Sequence, residues 1–129
     1  MWRPVLFLIA AMNAGNALTM WVMPHTWYEM VPGVAMMGPF NPHFVRDIAL
    51  AFGMSAAALA WGALRLDRSA AICGAAWPCL HALFHVWIWA IHRGAPFDQI
   101  ALVNLTGIQI PAWLALAAAL NFTRKETTA

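Results

Sequence analysis

Two pairs of side chains in this sequence have the types and spacing for chemistry. In the run Asn41-Pro42-His43-Phe44-Val45-Arg46-Asp47, His43 and Asp47 stand four apart, and farther along His81 and His85 repeat that interval. Residues four apart share one face of a helix, so each pair can aim at a common point. Both pairs lie in or beside long apolar runs, where an ionisable group is costly unless it has a partner or a task. Two histidines and a carboxylate drawn from two helices are a common ligand set for a transition metal such as zinc, iron or copper. The same groups could relay protons or act as acid and base on a lipid-soluble substrate. A plainer reading stands beside these: intramembrane histidines as hydrogen-bonded glue between helices, with Arg46 and Asp47 neutralising one another.

The elements that must position these residues are set by composition. The chain has 129 residues, 63% hydrophobic and 9% charged, with a mean hydropathy of +0.67. Soluble domains carry roughly 25% charge, so the chain is built for lipid, as one domain. A net charge of +2, scattered along the chain, excludes nucleic acid as a partner. Cys73 and Cys79 are six apart on one predicted helix. They turn about 240° from one another, so they are expected as separate buried thiols.

Four spans are predicted, at about 4–23, 42–66, 69–91 and 98–122, each long enough to cross a bilayer. The first resembles a signal peptide after Arg3, with Ala17 placed for cleavage, but apolar residues continue through Leu18, Met20, Trp21 and Val22. It reads as a transmembrane helix, with Asn13, Asn16, Met20 and Met23 on one protein-facing stripe. Residues 24–41 form the one long loop, broken by Pro24, Pro32, Gly33, Gly38 and Pro39. Within it, 26–31 is expected as a short interfacial helix with Trp27 and Tyr28 at headgroup level. Asn41 with Pro42 starts the second span. Gly53 and Ala57 there form a small-xxx-small pair for close helix approach. Ser69 is expected to cap the third span, Gly94 and Pro96 to stop it, and Asp98 to cap the fourth. There is no repeat or strand pattern. The fold class is all-α: a four-transmembrane-helix, up-down-up-down bundle.

Positive charge sets the orientation. Arg3, Arg65, Arg68, Arg124 and Lys125 fall on one side against Arg46 and Arg93 on the other, which puts both termini in the cytoplasm and the long loop outside. At about 1.5 Å rise per residue, Asp47 then lies about 7–8 Å below the outer end of its span, Asn104 about 9 Å, and Asn16 and His85 about 10 Å. All four spans thus carry a polar side chain at similar depth. His81, His85, Ile88 and His92 make one stripe on the third. The expected site is therefore buried and opens outward, with His43, Asp47, His81 and His85 as metal ligands, supported by Arg46, Asn16 and Asn104. The amides could orient ligands, and the positive end of the second helix would keep His43 neutral for ligation.

Other chemistry fits less well. A bis-histidine haem needs matched depths, and His43 is nearer the surface than His85. A small multidrug exporter needs an acid in its first span, which holds none. Met20, Met23, Met30, Met36 and Met37 with His25 and His43 could hold Cu(I), although methionine is also ordinary membrane packing.

The run Gly38-Pro39-Phe40-Asn41-Pro42-His43-Phe44-Val45-Arg46-Asp47, with His81-Ala82-Leu83-Phe84-His85, resembles a group of small four-helix bacterial membrane proteins that are loosely similar to the DoxX-like class. The resemblance is best over the second and third spans. It implies a bacterial inner-membrane protein with the four-helix fold and carries no defined activity. Metal binding in a redox or transport role is the leading expectation. The alternatives are an accessory subunit of a larger membrane complex, binding partner helices or a quinone-like cofactor, and a metal-free membrane enzyme using His and Asp on a lipid-like substrate. The lipid bilayer is the expected partner, with self-association through Gly53, Ala57 and Gly74 a further expectation.

Overall fold

In lipid every backbone N–H and C=O must find its partner within the protein, and helices do this segment by segment. The computed structural model describes residues 2–121, which are helical with no strand among them. Helix α1 (Trp2–Val22) is followed by the short α2 (Pro24–Met30) and a 3-10 turn at Val34–Met36. Then come α3 (Pro42–Arg65) and α4 (Arg68–Trp87), which widens into a π-helical turn at Ile88–His92. The last span is built from α5 (Gln99–Asn104), a second π-helical turn at Leu105–Gln109, and α6 (Ile110–Leu120). Four helical stretches, Trp2–Val22, Pro42–Arg65, Arg68–His92 and Gln99–Leu120, are long and apolar enough to cross a membrane. Their described boundaries fall within two residues of those expected. The expected end of the fourth span near 122, and Arg124 and Lys125 of the charge count, lie outside the described residues.

The caps follow side-chain chemistry. Asn41 accepts from the backbone N–H groups of His43 and Phe44 at 3.0 and 3.1 Å, and Asp98 from that of Ala101 at 2.9 Å, both as expected. The third span is capped one turn-residue pair earlier than expected, by Asp67, whose carboxylate accepts from Ala70 N–H at 3.1 Å. Asp67 has the extended backbone a cap needs, whereas Ser69 already lies inside the helix. Gly94 takes positive φ where the third span ends.

The spans pack in a ring: α1 on α3, α3 on α4, α4 on α6, and α6 back on α1. Neighbours run antiparallel. Arg3 at the start of α1 donates to Ala63 O near the end of α3, and Arg46 near the start of α3 donates to Trp21 O near the end of α1. Leu6, Ile9 and Leu59, with Ala63, Ala71, Ala115 and other alanines, form the core at the end bearing the α3–α4 turn. Met20, Val45 and Ala49, backed by Trp27 and Phe40, form another at the long-loop end.

Helices α3 and α4 approach most closely near their tight turn. A Cβ on Gly62 would lie 2.7 Å from Ala71 N, and one on Gly74 2.7 Å from Leu59 N. At Gly53, expected at a close crossing, an added Cβ would stand 4.0 Å from Ala17 Cβ, an ordinary contact, and Ala57 is exposed. The close contact falls where the short connection draws the two axes together.

Pro78 stands inside α4 and has no N–H for the carbonyl of Gly74. Ser55 of α3 supplies the missing donor: its hydroxyl reaches Gly74 O at 2.6 Å, and Asn13 of α1 donates to Ser55 Oγ at 3.0 Å. Three spans are thus joined by one buried polar chain. Cys79 is buried and donates to Ala112 O at 3.4 Å. Cys73, expected to be buried, is exposed, because it lies six residues, and so about 240°, around the helix from Cys79.

Candidate functional site

His81 and His85 lie on the stretch of α4 between Pro78 and the π-helical turn. Pro78 is buried. His85, seven residues on, is rotated only about 20° from it, and His81 about 60°. Both imidazoles are therefore turned toward the bundle, and both are half-buried. Their ring centroids are 4.5 Å apart with the planes at 63°. Trp77 stacks on His81 at 4.9 Å, nearly parallel, and Phe52 of α3 meets the edges of Trp77 at 4.8 Å and of His81 at 6.0 Å. Among the described residues no hydrogen bond is made by either imidazole. Their rings lie against aromatic side chains: Trp77 and Phe52 at His81, and Phe84 at His85.

The pair on α3 stands apart from this. His43 Nε2 and Asp47 Oδ2 are 3.4 Å apart, as their four-residue spacing requires, but their side chains are 87% and 57% exposed. The expectation that they are buried is corrected, and the reason is angular. Val45, Ala49 and Phe52 carry the inward face of α3. His43 and Asp47 are each two residues from Val45, about 200° around the helix. Arg46 pairs with neither. It donates to Trp21 O at 3.3 Å and lies 6.0 Å from the Trp21 ring centroid, neutralising the negative end of α1. Among the described residues no three or more His, Cys, Asp or Glu come together as a group able to hold a metal ion.

The amides expected to support the site are engaged elsewhere. Asn16 accepts from the Trp27 indole N–H at 2.9 Å and donates weakly to Met20 Sδ at 3.5 Å. Trp27 therefore folds inward from α2 onto α1. Met20 is buried as the α1 stripe implied, whereas Met23 is half exposed. Asn104 donates to His85 O at 3.5 Å, so it shares the depth of His85 while serving its backbone. Gln109 donates to Ala82 O at 2.8 Å and to Asn104 Oδ1 at 3.1 Å, and accepts from Trp113 at 3.1 Å.

Sequence reasoning missed Gln109, Phe52, Trp77 and the Asn13–Ser55 link. Gln109 carried a signal, as a neutral amide two residues before Pro111 within an apolar span. Ser55 carried one too, because Pro78 must orphan a carbonyl that some neighbour has to satisfy.

Beyond the spans, Arg93 Nη2 contacts Asp98 Oδ2 at 2.6 Å. That guanidinium, and the Ala101 N–H that Asp98 caps, hold the Asp98 carboxyl below its ordinary value. No family model, curated protein or solved structure matches this chain, so its chemistry is read from its own side chains.

Proposed function

We propose that this is a membrane-embedded binding protein whose centre is the His81–His85 pair, which takes a transition-metal ion on two imidazole nitrogens. The observation that carries the reading is a pair of inward-turned imidazoles, 4.5 Å apart, that make no hydrogen bond among the described residues. With metal–nitrogen bonds of about 2.0–2.1 Å, imidazoles on adjacent coordination positions have ring centres about 4.5–5.2 Å apart. Zinc, copper and iron all accept imidazole. The remaining coordination comes from water or from a molecule arriving from the lipid phase, which leaves an open position for transport or redox chemistry.

A second reading rests on the rings around the pair. Trp77 and Phe52 flank His81, and an imidazole N–H between aromatic faces also suits the carbonyl of a flat, quinone-like molecule. For the orientation we infer both termini on the cytoplasmic side of a bacterial inner membrane. Arg3, Arg65 and Arg68 at one end against Arg46 and Arg93 at the other support it, together with Arg124 and Lys125 of the sequence.

Elemental analysis of gently purified protein, after metal has been offered back, tests the leading reading. Stoichiometric metal is expected in the wild type and in His43→Ala and Asp47→Ala. It is expected to be lost in His81→Ala and His85→Ala. A blank in the wild type after reloading overturns the metal reading and favours the quinone-like ligand. Loss in Asp47→Ala as well overturns the restriction to His81 and His85.

A further inference from the structure

At the long-loop end of the bundle, a cavity of about 420 Å³ opens between the third and fourth spans, with Val86, Trp89, Phe97, Asp98, Leu102 and Leu105 in its wall. The turn that forms its rim is cross-braced. Trp89 holds both sides of it: its carbonyl accepts from Ala95 N–H at 2.8 Å, and its indole N–H donates to Pro96 O at 2.9 Å. Arg93 and Asp98 brace the same turn across 2.6 Å. From this rim Phe97 projects with 96% of its surface exposed. It touches Trp89 only edge to face, at 6.0 Å between centroids. At the end of two spans, an uncovered aromatic ring stands where it can meet a lipid headgroup.

We propose that this cavity binds the headgroup of a zwitterionic phospholipid. The ammonium group sits against the Phe97 and Trp89 rings beside the Asp98 carboxylate. The phosphate lies toward Arg93, and an acyl chain descends over Val86, Leu102 and Leu105. Three features converge on that ligand. The cavity mouth lies where two spans end, the level of lipid headgroups. The Arg93–Asp98 pair presents one positive and one negative charge, and the antiparallel dipole of a zwitterion complements it. An ammonium within about 6 Å of ring centroids gains cation–π attraction, and the two rings meet near a right angle, at 75°, forming a corner. The apolar wall below continues onto Leu102 and Leu105, which are 60% and 51% exposed on the lipid side. Phosphatidylglycerol carries the same phosphate but an uncharged glycerol in place of the ammonium, which offers Asp98 no opposite charge and the rings no cation. The site is independent of the His81–His85 reading.

Native mass spectrometry tests it, with the whole chain released from micelles holding equal amounts of phosphatidylethanolamine and phosphatidylglycerol of identical acyl chains. Wild type is expected to retain one phosphatidylethanolamine in preference. Phe97→Leu keeps apolar bulk and removes the ring, and Asp98→Asn keeps a capping side chain and removes the charge. Each is expected to lower the preference about fivefold or more, whereas Phe97→Trp keeps it. Equal retention of both lipids by wild type, or preference for phosphatidylglycerol, overturns the proposal. So does a preference that survives Phe97→Leu, a variant whose exposed position leaves the fold intact, because the residue is then only an apolar anchor.

Discussion

The buried polar chain from Asn13 through Ser55 to Gly74 makes a demanding prediction. Ser55→Ala removes the donor to Gly74 O, at 2.6 Å, and the acceptor for Asn13 Nδ2, at 3.0 Å. A net hydrogen bond is worth about 0.5–1.5 kcal/mol, and a buried group left without a partner costs about 1–3 kcal/mol. Bonds between membrane helices average lower, about 0.6 kcal/mol with a maximum near 1.7. Two such bonds lost together give an expected destabilisation of about 1.5–3 kcal/mol. The cause is specific: Gly74 O needs Ser55 because Pro78 supplies no N–H. Pro78→Ala restores that N–H, so in its background the cost of Ser55→Ala should fall by about 1 kcal/mol. Reversible unfolding in mixed detergent micelles, run as a double-mutant cycle, measures this coupling. Additivity within about 0.3–0.5 kcal/mol would show that Ser55 does not serve the carbonyl that Pro78 orphans.

Four further outcomes follow from the packing and the charges. Gly62→Ala places a methyl 2.7 Å from Ala71 N and should cost about 1–3 kcal/mol in the same unfolding assay. Gly15→Ala meets nothing within 4 Å and should gain about 0.5–1 kcal/mol from helix propensity. His43→Ala and Asp47→Ala, at exposed positions, should each change stability by no more than about 0.5 kcal/mol. The Asp98 carboxyl is held below its ordinary value of 3.8, chiefly by Arg93. Its contribution is therefore complete above that value and lost as pH falls through the lower folded one. The Ala101 amide resonance should stay constant from neutral pH down to the ordinary carboxylate range and move only below it. A shift already complete near neutrality refutes the pairing.

The spans were legible because lipid reduces the problem to runs of apolar length and to residues that start or stop helices. Asn41-Pro42 and Asp98 marked starts, and Gly94 marked a stop. Depth was legible as well: Asn104 reaches His85 O, as counting residues from the two helix ends implied. Azimuth was harder to read. Depth alone placed His43 and Asp47 beside His81 and His85, yet the pattern Val45, Ile48, Ala49, Phe52 already assigned the inward face of α3 to other residues. Asn13 and Asn16 share a stripe but differ by about 60° around α1. One meets Ser55 and the other Trp27. That divergence depends on where α3 and the α2 loop lie, and no local pattern encodes it. The two π-helical turns also had no local sign, because widening a helix by one residue per turn depends on tertiary contacts.

The distribution of partners among the intramembrane polar residues argues for a task at His81 and His85. Two backbone irregularities, Pro78 and the π-helical turn at Ile88–His92, bracket the stretch that carries them. The carbonyls of this region are served from neighbouring spans: Gly74 O by Ser55, Ala82 O by Gln109, and His85 O by Asn104. Helix-to-helix glue thus accounts for Asn13, Ser55, Asn104 and Gln109. It does not account for the two imidazoles, which make ring contacts but no hydrogen bond among the described residues. A residue kept for structure should be costly to replace by its apolar isostere only where it makes hydrogen bonds. Gln109→Leu should therefore cost about 1–2 kcal/mol in micelle unfolding, since it strips donors from Ala82 O and Asn104. His81→Phe and His85→Phe keep the ring contacts and should change stability by about 0.5 kcal/mol or less, or raise it, while abolishing metal uptake. If both histidine variants lose as much stability as Gln109→Leu, the imidazoles are structural and the functional reading of the pair fails.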